Sequence, residues 1–371
     1  MTLSLQITDR LGEARAGIIS TARGQIRTPS FMPVGTRGAV RTLSSADLED
    51  LGAQIVLGNT YHLMLKPGAE RIARLGGLHR FEDWHGHLLT DSGGYQIFSL
   101  EPGGNVKLDD DGVTFRSTYD GGTHRLTPAS AVEIQTLLGG DIQMVLDVCA
   151  SLPSPAAALR LAVERTASWA TLARKEFLEL GRSELNQFGI VQGGTDPDLR
   201  LESAQRTVAV GFDGYAVGGL SVGESRDHML QTLASTLPHL PDDQPRYLMG
   251  LGDPIGMVES IALGIDLFDC VLPTRFGRHG SILSTAGRYN LKRAENADDG
   301  APLDDACGCP VCARWSRAYL RHLLVVDEPT APRLLTIHNV WWTLRLVEEV
   351  RSAIQAGTLD AVRSRVRAAY E

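Results

Sequence analysis

The chain has 371 residues, 43% of them hydrophobic, with a formal net charge of −8 and five cysteines. That length and apolar content suit one large barrel with insertions, and the acidic balance excludes a polyanion-binding surface spread over the whole molecule, though not a local one. No uninterrupted apolar run reaches the roughly 18 residues of a membrane span, and the charged start MTLSLQITDRLGEARAG is unlike a secretory leader, so a cytoplasmic location is expected.

The first thirty residues alternate like a hairpin and are expected to cap the floor of a barrel. Short apolar runs then recur, most ending in a polar or glycine-rich turn. They are SFMPVGTR from Ser30, AQIVLGNTYH from Ala53, HLLTDSGGYQ from His87, IQMVLDVC from Ile142, FGIVQGG from Phe188, GYAVGGLS from Gly214, RYLMGLGD from Arg246 and IDLFDCVLPTR from Ile265. Stretches of helical period such as PAAALRLAVERTASWATLARKEFLEL and PIGMVESIALG separate them. Eight buried strands alternating with helices predict an α/β fold, a (β/α)8 TIM barrel with an N-terminal β cap. A doubly wound open sheet would normally carry one glycine-rich phosphate loop near its first strand, and no loop of that form is present. Residues 1–371 therefore read as a single catalytic barrel domain, including a metal-binding subdomain at about 281–345 that opens with a hairpin near 281–292.

Polar residues repeat at the carboxyl ends of these runs: Asn59, Asp91, Asp147, Gln192, Gly219 and Asp269. In a barrel such ends converge on one mouth, where enzymes of this architecture keep their sites. Asp269 is the oddest of them, because it interrupts the apolar run Ile265–Leu272, where an unpaired carboxylate costs several kcal/mol. Converging carboxylates can divide labour as nucleophile and general acid/base, as in glycosidic bond chemistry. Gln and Asp side chains beside exposed backbone amides can read a purine edge. Tyr95 and Met249 either sandwich a flat ring or fill the core.

The window Val271–Ala294 holds Arg275, Arg278, Arg288, Lys292 and Arg293 and no acidic residue, which suits either phosphate contact or a solvated face. The histidines of WHGHLL, His85 and His87, form an H-x-H pair, but they precede the apolar part of their strand and so belong on the floor. CGCPVC supplies Cys307, Cys309 and Cys312, three thiolates that need a fourth ligand to close a tetrahedral Zn2+ site. His338 is the best candidate. Four protein ligands leave no open position, so this ion should be structural.

Taken with PSFMPVGT, GNTYHL, TDSGGYQIFSL, GVTFRS, LTP, IVQGG, AVGGLSVGE, YLMGLG, FDCVLPTR, CGCPVC and IHN, the chain closely resembles the bacterial-type tRNA-guanine transglycosylases, or queuine tRNA-ribosyltransferases. The resemblance covers most of the chain in order. It implies a (β/α)8 barrel with one structural zinc per subunit, commonly a homodimer. The implied reaction, part of queuosine biosynthesis, replaces guanine at the wobble position of tRNAs for aspartate, asparagine, histidine and tyrosine. The incoming base would be 7-aminomethyl-7-deazaguanine (preQ1) or, as the alternative, queuine. By this resemblance Asp269 is the nucleophile, Asp91 moves protons, and Ser92, Asp147, Gln192, Gly219, Leu220 and Gly250 line the base site between Tyr95 and Met249. Arg275, Arg278, Arg288, Lys292 and Arg293 become the expected contacts to the tRNA anticodon loop. Two positions depart. Val148 stands where bacterial members usually have a glutamate, expected beneath the peptide that faces the base substituent, and Ser221 replaces the usual alanine. Two rival functions, a non-catalytic RNA-binding subunit and a barrel hydrolase of small glycosides, leave the two acids and the basic window respectively without a task.

Overall fold

The computed structural model describes residues 3–98 and 106–371. Eight parallel strands close a barrel in chain order: Ser30–Gly35, Ile55–Gly58, His87–Thr90, Ile142–Met144, Asn186–Val191, Gly214–Val217, Arg246–Leu248 and Leu267–Cys270. All eight fall on the apolar runs of the sequence. The last strand pairs back onto the first, with Leu267 beside Ser30 and Asp269 beside Met32, which completes the closure. Nearly every strand residue is buried, as a sheet covered on both faces requires. Helices Ala156–Glu179, Pro197–Val210, Arg226–Thr236 and Pro254–Ala262 follow strands four to seven on the outside. Pro197 and Pro254 each occupy the first helical turn, after Asp196 and Asp253, whose side chains cap exposed amides.

Three differences from the sequence reading have local causes. The N-terminal cap is a three-stranded antiparallel sheet (Ser4–Leu11, Ala14–Thr21, Gly24–Thr28), not one hairpin, because a second reversal at Arg23 returns the chain. It sits on the floor, as expected. Arg15 reaches from it to Asp266, just before the last barrel strand, and Thr21 Oγ1 lies 3.0 Å from His87 Nε2 at the start of the third strand. Next, the last strand ends at Cys270 rather than Leu272, since Pro273 opens the helix Leu272–His279. Finally, a second antiparallel sheet (Val106–Asp109, Gly112–Arg116, Thr123–Leu126) follows the third strand. Its edge strands have few apolar residues, so they carry little periodic signal.

The predicted hairpin near 281–292 is present as the pair Ser281–Ile282 and Tyr289–Asn290. Beyond it, the cysteine loop is held against the helix Thr330–Ala356, which also packs on Leu272–His279 and on the first barrel strand. Among the described residues no helix is long and apolar enough to cross a membrane.

Candidate active site and metal centre

The six polar strand-end residues border one cavity of about 330 Å³ at the carboxyl mouth of the barrel. Asp269 projects from the last strand, where Tyr247 Oη (2.5 Å) and Gly250 N–H (2.7 Å) donate to its Oδ1. Its compensation is therefore two directional donors rather than a cation. Burial pushes the Asp269 carboxyl above its ordinary range, while Tyr247 and Gly250 pull it back.

Asp91 follows the third strand. Thr60 N–H (2.7 Å) and Gly93 N–H (3.1 Å) donate to Oδ1, and Asn59 Nδ2 donates to Oδ2 at 2.6 Å. Burial nonetheless raises this carboxyl to about 7, with a further push from the Asp269 charge. Both acids border the same cavity. Asp147 receives Gln192 Nε2 at 2.6 Å, and burial raises it to about 6. A group that titrates near neutrality beside a carboxylate held by donors is the arrangement that can split acid/base and nucleophilic work.

One wall of the cavity comes from two glycine turns. Gln192 leaves the fifth strand and lies flat against Gly218 and Gly219, where an added Cβ would fall 2.7 Å from its Nε2 or 2.3 Å from its Oε1. Only glycine permits that approach. Ser92, Leu220, Tyr95 and Met249 also border the cavity. Tyr95 is 62% exposed, so it is a wall rather than core. Gly250 borders it too, but its amide is committed to Asp269.

One expectation is corrected. Val148 is buried in an apolar cluster with Leu146 and Trp169, away from the cavity, and its amide donates to Thr166. The carboxylate beneath the peptide at Leu220–Ser221 belongs to Glu224, which accepts the amides of Ser221 and Val222. This grip explains why Ser221 adopts φ +61° without being glycine.

The five basic residues are not one cluster. Arg275 and Arg278 lie on the helix after Asp269; burial lowers Arg278, and the nearby Arg41 and Arg275 lower it further. Arg288 stacks over Phe276 of the same helix at 5.0 Å, and the Lys292 side chain lies beside Gly280 at its end. Arg293 turns instead to Glu295, 3.8 Å away. His85 pairs with Glu49 in solvent and His87 is buried on the floor, so neither reaches the mouth. A wider surface groove of about 630 Å³ between helices Ala156–Glu179 and Pro197–Val210 receives no strand end. Sequence reasoning missed Tyr247, Glu224, Arg41 and the buried Arg200. Tyr247 alone carried a usable signal, standing two residues before Met249, the spacing that shares one face of an extended chain.

Cys307, Cys309, Cys312 and His338 bring one ligand atom each within 4.8 Å of one another and could hold a metal ion. The sulfurs lie 3.6, 3.4 and 3.3 Å from His338 Nδ1, against about 3.6 Å for S and N ligands of a tetrahedral zinc. His338 Nε2 lies 2.8 Å from the Leu283 carbonyl, which takes its proton and leaves Nδ1 free to bind.

A family profile described as queuine tRNA-ribosyltransferase matches residues 9–371. The chain belongs to that family. It is 48% identical to a queuine tRNA-ribosyltransferase of Gluconacetobacter diazotrophicus over 97% of this chain and 92% of that one. A protein of the same name from Solidesulfovibrio magneticus is 49% identical over 97% and 95%, and one from Helicobacter pylori 46% over 95% and 94%. As a member of this family the chain is an enzyme, a glycosyltransferase of the pentosyltransferase class.

Proposed function

We propose that the enzyme exchanges the wobble guanine of queuosine-type tRNAs for preQ1 through a covalent Asp269–ribosyl intermediate. The observation that carries this reading is the meeting of Asp91, Asp147 and Asp269 on one cavity large enough for a purine. Asp269 attacks the anomeric carbon of the ribose; the bond to guanine breaks, and its electron pair leaves with the base. Asp91, which titrates near neutrality, gives the departing base a proton and takes one from the incoming base. Asp147 and Gln192 face the amidine edge of the base, and the turn Gly218–Leu220 faces its carbonyl. Tyr95 and Met249 flank the ring. The target nucleotide must leave the anticodon stack to enter. Arg275, Arg278, Arg288, Lys292 and Arg293 then contact the anticodon-loop phosphates around that entrance.

The preference for preQ1 is supported by Glu224. A planar peptide whose N–H turns to Glu224 points its carbonyl the opposite way, and the Leu220 carbonyl is then an acceptor for an aminomethyl group. Zinc suits the Cys3His donor set, stabilises the loop after the hairpin and has no open position for chemistry. A homodimer follows the family habit.

Exchange of labelled guanine into tRNA, competed with preQ1 and with queuine, tests the reaction and the base together. Asp269→Asn should bind tRNA yet leave no adduct on a denaturing gel. An adduct surviving in that variant would remove the nucleophile assignment.

A further inference from the structure

Asn339 stands in the middle of the helix Thr330–Ala356, next to the candidate metal ligand His338, and is fully buried. Asparagine is a poor residue for a helix interior, because its side chain competes for backbone groups. Here that side chain turns to two other segments. Its Nδ2 donates to the carbonyls of Pro273 (3.1 Å) and Ser281 (3.0 Å), and its Oδ1 accepts the Leu283 N–H at 3.0 Å.

Pro273 lies in the first turn of the helix Leu272–His279, which starts three residues after Asp269 and carries the exposed Arg275 and the half-buried Arg278. Leu283 follows the strand Ser281–Ile282, and its carbonyl lies 2.8 Å from His338 Nε2. Adjacent residues of one helix therefore take the carbonyl and the amide of Leu283, so the metal ligand and the brace of the basic helix share an anchor. The other support of that helix is Gly277, where an added Cβ would fall 2.7 Å from Thr336 N. A glycine contact sets how closely two helices approach but lets them slide. A directional bond to the first turn does not.

We propose that Asn339 is a positioning residue for RNA: by pinning Pro273 to the segment Ser281–Leu283 it sets where Arg275 and Arg278 meet the anticodon-loop phosphates. This rests on the base-exchange reading above, in which those arginines contact tRNA. The test is the salt dependence of tRNA binding. Each phosphate contact contributes about 0.7 to the slope of log Kd against log salt for a single strand. That slope belongs to the complex and does not depend on how much of a preparation is folded. Arg278→Ala should lower it by about 0.7. Asn339→Asp keeps an acceptor for Leu283 N–H but loses both donors, and Asn339→Ala loses all three bonds. Each should lower the slope by roughly 0.7–1.4, one or two contacts, while zinc stays at one per chain and KM for guanine changes by less than about 3-fold. Gly277→Ala displaces the same helix without touching Asn339 and should also lower the slope. A wild-type slope in any of these three variants overturns the proposal, as does a slope that falls only where zinc is lost. A wild-type slope in Arg278→Ala would instead sink the reading of the basic helix as a tRNA contact.

Discussion

Tyr247 Oη donates to Asp269 Oδ1 at 2.5 Å from a wholly buried ring on the neighbouring strand. The bond does two opposed things. It keeps the carboxylate ionised against burial, and it lowers its nucleophilicity by sharing its charge. Tyr247→Phe removes the donor and leaves Gly250 N–H in place. Asp269 then rises further, so less of it is ionised at a given pH. The acid limb of the pH profile for single-turnover adduct formation should move to higher pH. The plateau rate at high pH should change by less than about 10-fold, since hydrogen bonds to charged groups contribute roughly 1.5–3 kcal/mol and part is regained in nucleophilicity. A rate lowered equally at every pH would mean that the tyrosine acts only by packing.

Asp91 and Asp147 place function against stability. Both are raised from 3.8, to about 7 and about 6, chiefly by burial. A group whose folded value is raised binds its proton more tightly in the folded state, so its contribution is most favourable at low pH. That contribution is lost as pH rises from about 4 towards 6 to 7, and stays lost above. Asp91→Asn and Asp147→Asn should therefore raise Tm at pH 8 by a few degrees, on the order of 1–2 kcal/mol after the weakened acceptor bonds are counted. Both should lower exchange steeply. Scanning calorimetry at pH 5 and pH 8 checks the sign, because the gain must be larger at the higher pH. A Tm that falls at both would show that the donors around these acids matter more than their burial.

The metal site predicts a different signature. His338 sits fully buried on the helix Thr330–Ala356, which also braces the helix after Asp269. Purified protein should carry one zinc per chain by elemental analysis. Cys307→Ser and His338→Ala should lose most of it and lower Tm by about 10 °C or more, with activity falling in parallel with the folded fraction. Full zinc occupancy in either variant would mean that the ligand set is wrong.

The barrel was legible because its signal is repeated: eight apolar runs with polar ends, each a weak clue, agree on one topology. The three acids were legible for the same reason, since Asp91, Asp147 and Asp269 stand at or near the carboxyl ends of three different strands. Residues that act through another group left no such trace. Glu224 binds amides in its own turn, and Arg200 binds carbonyls of two turns it does not belong to, so neither is marked by spacing. Val148 shows the same limit. A strand end fixes which residues are near the mouth, but in the segment that follows Met144 it is Asp147 and Cys149 that border the cavity, while Val148 packs into the core.

Glu224 gives the sharpest test of substrate choice. Its two oxygens accept the amides of Ser221 and Val222, holding Ser221 in a left-handed conformation that costs about 1–2 kcal/mol for a residue with a side chain. Glutamine has one acceptor oxygen, and its amide group would face an N–H. Glu224→Gln should release the peptide, which then turns its N–H rather than the Leu220 carbonyl to the cavity. An aminomethyl base loses its acceptor, whereas guanine has no substituent there to lose one. KM for preQ1 should rise by about 10-fold or more while KM for guanine changes by less than about 3-fold. Parallel rises for both bases would reduce Glu224 to a stabiliser of the loop, and the preference for preQ1 would need another source in the wall formed by Leu220, Ser221 and Val222.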